Sequence, residues 1–124
     1  MGKRKDMIGK EQLRSLSRIA GKVNSVNLFS PYLTGHGYTQ QERMLFAKGD
    51  SELIQVRQEQ NHFTYVNHLR PGDKGGFINF LAIRMNNGVT GFSIDHYVKA
   101  AKVALKIYER VAKRLSPGGV KMKR

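Results

Sequence analysis

The sequence has no cysteine and no tryptophan, three prolines, and nine acidic residues against 22 lysines and arginines. Without cysteine there is no disulfide, no thiolate zinc site and no cysteine nucleophile, and the absence suits a reducing compartment, so a cytoplasmic location is expected. No run approaches the roughly 20 apolar residues of a membrane-spanning helix. Met1-Gly2-Lys3-Arg4-Lys5-Asp6 is not followed by the roughly 7 to 15 apolar residues of a secretory signal, so no membrane partner is expected. The shortage of acids leaves a formal net charge of +13. Such an excess attracts polyanions over a screening length of about 8 Å, which makes nucleic acid the first partner to consider.

What is present is an ordinary globular balance, 40% apolar and 25% charged residues in a chain of 124. That is too little chain for two separate cores. A single domain over 1–124 is expected, with a folded core at 9–115 between basic tails at 1–8 and 116–124. Lys10 to Lys22 predicts a helix, because Leu13, Leu16, Ile19, Ala20 and Val23 recur at three- and four-residue steps, while Lys10, Arg14, Arg18 and Lys22 line the opposite side. Pro31, Gly35 and Gly37 punctuate Asn24 to Tyr38 into a loop with at most a short helix around Leu28 to Leu33.

Three short strands follow, at Arg43 to Ala47, Glu52 to Gln58 and His62 to His68, joined by connections short enough to imply antiparallel pairing. Phe63 and Tyr65 share a strand face, the larger apolar one and so the expected core face. After the loop Arg70-Pro71-Gly72-Asp73-Lys74-Gly75-Gly76, a short helix is predicted from Phe77 to Met85, stopped by Asn86-Asn87-Gly88. Ser93 is the N-cap of a long helix to about Leu115, with Asp95 in its first turn. The fold class is α+β: a small antiparallel sheet of three or more strands, packed by the short helix and the long C-terminal one, with the N-terminal helix alongside.

At about 100° per residue, the long helix divides into two halves. Ile94, Tyr97, Val98, Ala101, Ala104, Leu105, Tyr108, Val111, Ala112 and Leu115 occupy an arc of roughly 140°, a core face. Lys99, Lys102, Lys106, Arg110 and Lys113 occupy about 80° on the other side, with Glu109 near their edge. A solvated helix face gains from mixed signs at i,i+4, whereas like charges there cost a few tenths of a kcal/mol each. An anionic partner would offset that cost. These five residues are the principal candidates for neutralising phosphates.

Other chemistry is poorly supported by spacing. No phosphate-binding loop motif is present near Gly2 to Lys10. His62 and His68 lie about 20 Å apart along a strand, His36 and His96 have no ligand neighbours at a recognised spacing, and no metal site or other cofactor is predicted. Asp50 and Glu52 are the nearest carboxylate pair and read as turn solvation, so no catalytic residue is assigned and the protein is not expected to be an enzyme. The glycine loop is open to two readings: an anion site in which the amides opening the Phe77 helix face outward with Arg70 and Lys74 adding charge, or a plain turn. Arg57, Phe63, Tyr65 and Arg70 come from adjacent strands, where exposed aromatics could stack unpaired bases and arginines hold phosphates; Phe63 and Tyr65 could equally pack into the core.

Tyr38 to Asn87 resembles the zinc-finger domain at the front of bacterial and plasmid primases, including divergent versions beside primase or relaxase modules in mobile elements. The residues that carry the resemblance are Glu52-Leu-Ile-Gln-Val-Arg57, Asn61-His-Phe-Thr-Tyr-Val-Asn67 and Asp73-Lys-Gly-Gly-Phe-Ile-Asn-Phe-Leu81. In that family a strand pair ending in an aromatic-rich strand is followed by a glycine turn and a helix opening near an Ile-x-Phe pattern. The family's cysteine ligands are missing here, so zinc is not carried over, and Ile54, Val56, Phe63, Tyr65, Phe77, Phe80 and Leu81 are left to hold the sheet by packing. The resemblance implies single-stranded template or origin DNA as ligand and a primase, relaxase or polymerase subunit as partner. The expected function is a single-stranded DNA-binding accessory of plasmid, phage or mobile-element replication or transfer. The alternatives are an accessory that docks on an acidic partner enzyme and an RNA-binding, ribosome-associated protein.

Overall fold

In the computed structural model residues 10–115 are described; the two expected tails lie outside them. The chain runs α1 (Lys10–Asn24), α2 (Phe29–Thr34), β1 (Thr39–Glu42), β2 (Leu45–Lys48), β3 (Glu52–Glu59), β4 (His62–Asn67), β5 (Lys74–Gly75), α3 (Phe77–Met85) and α4 (Ile94–Leu115). The strands form one antiparallel meander in the order β1-β2-β3-β4-β5, as connections of a few residues require. The α+β class read from the sequence is therefore found. Five strands satisfy the expected three or more; β1 and β5 are the two that were not placed, and Arg43 lies in the β1–β2 turn rather than at a strand start.

Cross-strand register sorts the side chains. Phe46↔Ile54, Val56↔Tyr65 and Ile54↔Asn67 share the inner face, toward the helices, whereas Gln55↔Val66, Arg57↔Thr64 and Val66↔Lys74 share the outer one. Tyr65 is enclosed on the inner face and Phe63 packs half-buried against the same core. α3 lies on this face against β4 and β5. Six of its nine residues are buried, and apart from Asn79 and Arg84 it is apolar, as suits a helix sandwiched between two layers.

α4 forms the outer layer, packed on α3 and α1. Its contact is made by Ala100, Ala101 and Ala104, all fully enclosed, whose small side chains let the helix axes approach. Burial is thus rotated by roughly 40° from the face expected by periodicity. Ile107 is drawn into the core and Ile94 is left exposed, because larger residues on that arc flank the alanine seam instead of occupying it. Leu13, expected in the core face of α1, is also exposed. Ser93 caps α4 as predicted: its Oγ accepts the His96 amide at 3.3 Å.

The centre of the molecule is aromatic. Phe80 is enclosed with its ring centroid 5.0 Å from that of Tyr65, 5.7 Å from Phe29 and 5.9 Å from Tyr32, each nearly perpendicular to it, an arrangement that sets positive ring edges against negative faces. Phe80→Ala should therefore cost about 3–5 kcal/mol in urea unfolding. A loss below about 1 kcal/mol would mean that the cluster is not the core of the fold.

Candidate functional site

The most polar part of the interior is centred on Arg84, the single charge in an otherwise apolar stretch of α3. Its Nη1 and Nη2 each donate at 2.8 Å to the two oxygens of Asp73, and Nη2 also donates at 2.6 Å to Glu52 Oε1. The guanidinium sits 3.8 Å from the Phe80 ring centroid. Asp73 has no exposed surface; it also accepts the Tyr65 hydroxyl and, at 2.9 Å, the Asn67 side-chain amide. Asn67 turns its own Oδ1 to the Leu53 and Leu69 amides at 3.0 Å, and Tyr38 donates to Glu52 at 2.6 Å. One arginine thereby binds β3, β4, the turn before β5 and α3 together. The sheet is not held by apolar packing alone, contrary to the expectation that followed from the missing cysteines.

Burial alone would raise the Asp73 carboxyl, but hydrogen bonds from Arg84, Tyr65 and Asn67 outweigh it and hold the group below its ordinary value of 3.8. Burial, then the hydrogen bond to Asp73, pushes the Tyr65 hydroxyl far above the usual range, so it stays protonated and donating. The cluster holds fixed protonation states, and its side-chain hydrogen bonds run among its own members and the neighbouring backbone; the Arg84 Nε is the one buried polar side-chain atom among the described residues left without a partner. It is a structural node.

That node decides between the two readings of the glycine loop. The loop carboxylate faces inward, and the space beside the backbone is taken by the chain's own asparagines. A Cβ on Gly76 would lie 2.8 Å from Asn24 Oδ1, which also accepts the Phe77 amide at 3.4 Å, and a Cβ on Gly75 would strike Asn79. Arg70 donates at 3.0 Å to the Gly88 carbonyl and ties the turn to the α3–α4 loop. The outward-facing anion cradle is corrected to a turn closed by Asn24, Asn79 and Arg70. The stacking role expected for Tyr65 is corrected likewise, since its ring is 2% exposed and its hydroxyl is engaged.

The remaining candidates separate into two groups. Arg57 and Lys74 are exposed on the outer face of the sheet, the side away from α3 and hence from α4. Lys99, Lys102, Lys106, Arg110 and Lys113 are all exposed along α4, on one side of the helix as the periodicity predicted. Among the described residues the ion pairs are Arg84 with Glu52, Arg84 with Asp73, and the histidine pair His62 with Glu59; none involves an α4 cation, and Glu109 forms none. Two of the nine acids are withdrawn into the node with a single arginine, so the rest of the molecule carries one positive charge more than the formal +13. The cations of α1, Lys10, Arg14, Arg18 and Lys22, are exposed as well.

Two further features went unread in the sequence. Tyr32 and His36 stack with ring centroids 3.8 Å apart, beside α4. Arg84 is the other; its signal was a lone charge within Phe77 to Met85. Among the described residues, no three histidine or acidic side chains converge in a way that could hold a metal ion, and no helix is long and apolar enough to cross a membrane. No family model, curated protein or solved structure matches this chain.

Removing the Asp73 charge leaves Arg84 with Glu52 alone in a largely enclosed site, so Asp73→Asn should destabilise the fold by about 3–5 kcal/mol at pH 7 in urea titrations. Because the folded carboxyl titrates below its unfolded value, its contribution is complete above about pH 4 and is lost as pH falls through the lower folded value. The gap between wild type and variant should close on the acid side. A gap that stayed constant from pH 7 to pH 3 would contradict the assignment.

Proposed function

We propose that this protein binds single-stranded nucleic acid, DNA in preference, by laying the phosphate backbone along the exposed face of α4, and that it acts by binding rather than catalysis. The observation that carries the reading is the row Lys99, Lys102, Lys106, Arg110 and Lys113: five exposed cations on one helix side with no acidic partner among the described residues. Like charges at i,i+4 repel by a few tenths of a kcal/mol per pair, a cost that a polyanion reverses by releasing its condensed counterions. The helix is also well placed for the task. Its alanine seam is fixed on α3, so the charged half stands away from the sheet on a rigid support.

Single strands are favoured over duplex by the resemblance of Glu52 to Leu81 to the primase zinc-finger domain, which also supports a role beside a replication or transfer enzyme of a plasmid, phage or other mobile element. Arg57 and Lys74, on the far face of the sheet, are not part of this surface.

If the five residues each neutralise a phosphate, the logarithm of the binding constant should fall with the logarithm of salt at a slope of about −3.5 on a single strand. Replacing all five with glutamine should abolish most of that slope, while Arg57→Gln with Lys74→Gln should leave it unchanged. Fluorescence anisotropy of a labelled oligonucleotide across a salt series measures both. An unchanged slope in the five-fold variant would reject this face.

A further inference from the structure

The cationic row of α4 is bordered by a groove that its charges do not explain. Val103, Ile107 and Arg110, spaced four and then three residues apart along α4, form one wall; Pro31, Tyr32 and His36 of the α2 region form the other. The groove holds about 370 Å³, at the lower end of the range of clefts that hold small ligands. Its lining is apolar, aromatic or cationic, with no acidic residue. Val103 is 38% exposed, a branched apolar side chain on the border of a face otherwise made of lysines.

The aromatic wall is prearranged. His36 lies on Tyr32 with planes 15° apart, and its Nδ1 is 2.8 Å from the Tyr32 carbonyl oxygen, so the imidazole is held in one orientation by a donated hydrogen bond. Tyr32 is in turn fixed against Phe77 and Phe80. His36 itself is exposed, so one face of its ring is covered by Tyr32 and the residue still meets solvent. A flat ring that is already immobilised loses little conformational freedom when another flat ring is laid on it.

We infer that the α2–α4 groove receives one unpaired base of the strand whose phosphates lie on α4, with the base against His36 and over Val103 and Ile107 and Arg110 on the adjoining phosphate. The inference rests on the α4 reading, and the charge at the rim is what selects the occupant. A groove of similar size between α1 and the start of α4, lined by Leu13, Leu16, Phe92, Ile94 and Tyr97, has a stacked pair of its own in Phe92 and Tyr97 but no lining cation. Of these two grooves, the α2–α4 one is where a single helix offers a phosphate partner, Arg110, one turn from an apolar floor residue, Ile107. A base held in a duplex cannot enter it, so the groove adds a preference for single strands that the cations cannot supply, since they read only phosphate.

The test compares a 12-residue homothymidine strand with an abasic strand of the same length, by anisotropy over a salt series, for the wild-type chain, His36→Ala and Val103→Asp. Stacking of one base should make the wild type bind the base-bearing strand roughly 5- to 100-fold more tightly than the abasic one. His36→Ala should remove most of that preference while the salt slope stays as in the wild type, because the phosphate contacts remain; Val103→Asp should remove it too. Equal affinity of the wild type for both strands, with the steep salt slope intact, would overturn the groove and leave the α4 surface standing. A preference that survived in both variants would place the base elsewhere and overturn it as well. Absence of salt-dependent binding to either strand would overturn the α4 surface and the groove together.

Discussion

The fold turns on a guanidinium taken out of water. Arg84 is paired with two carboxylates, one of them wholly enclosed, and sits over the ring of Phe80. A buried ion group of this kind adds little net stability compared with well-packed apolar residues, yet it is costly to break, because any one member left alone is a charge or donor without a partner. Its effect here is to determine relative placement. The bidentate contact to Asp73 fixes the turn before β5, the contact to Glu52 fixes the start of β3, and α3 can sit on the sheet in only one way that satisfies both.

Placement of α3 determines the rest. α4 has little apolar area of its own at the seam and uses alanines, so it must lie close on α3, and closeness fixes its rotation. That rotation turns the lysines away from the core and brings Val103 and Ile107 to the edge of α2. The interior therefore acts on the surface through geometry, setting a cationic row beside a groove with anchored rings. The two acids used in the interior also leave the surface more positive, since their charge is spent on Arg84.

Much of this organisation was legible in the chain. Long periodic segments such as α1 and α4 announce themselves, as do the hairpin strands rich in branched and aromatic residues and the glycine turn before α3. β1 was not legible because Thr39-Gln40-Gln41-Glu42 is an exposed edge with no apolar alternation, and β5 because two residues carry no period. The burial of Asp73 was not legible for a related reason: Pro-Gly-Asp-Lys-Gly-Gly has the composition of a solvated turn, and nothing local shows that an arginine 11 residues on will draw the acid inward. The rotation of burial along α4, roughly 40°, likewise depends on a partner helix that periodicity cannot see. The cationic row needed no such partner, because exposure is the default state of lysine, and so it was legible from spacing alone.

The central claim is that one face of this molecule, and not its charge as a whole, meets nucleic acid. Acetylation footprinting of lysines, read by mass spectrometry with and without a saturating single strand, tests it most directly. The account predicts that Lys99, Lys102, Lys106 and Lys113 are protected together while Lys74 and Lys48 react at unchanged rates. Protection of Lys74 with the α4 lysines still fully reactive would contradict it.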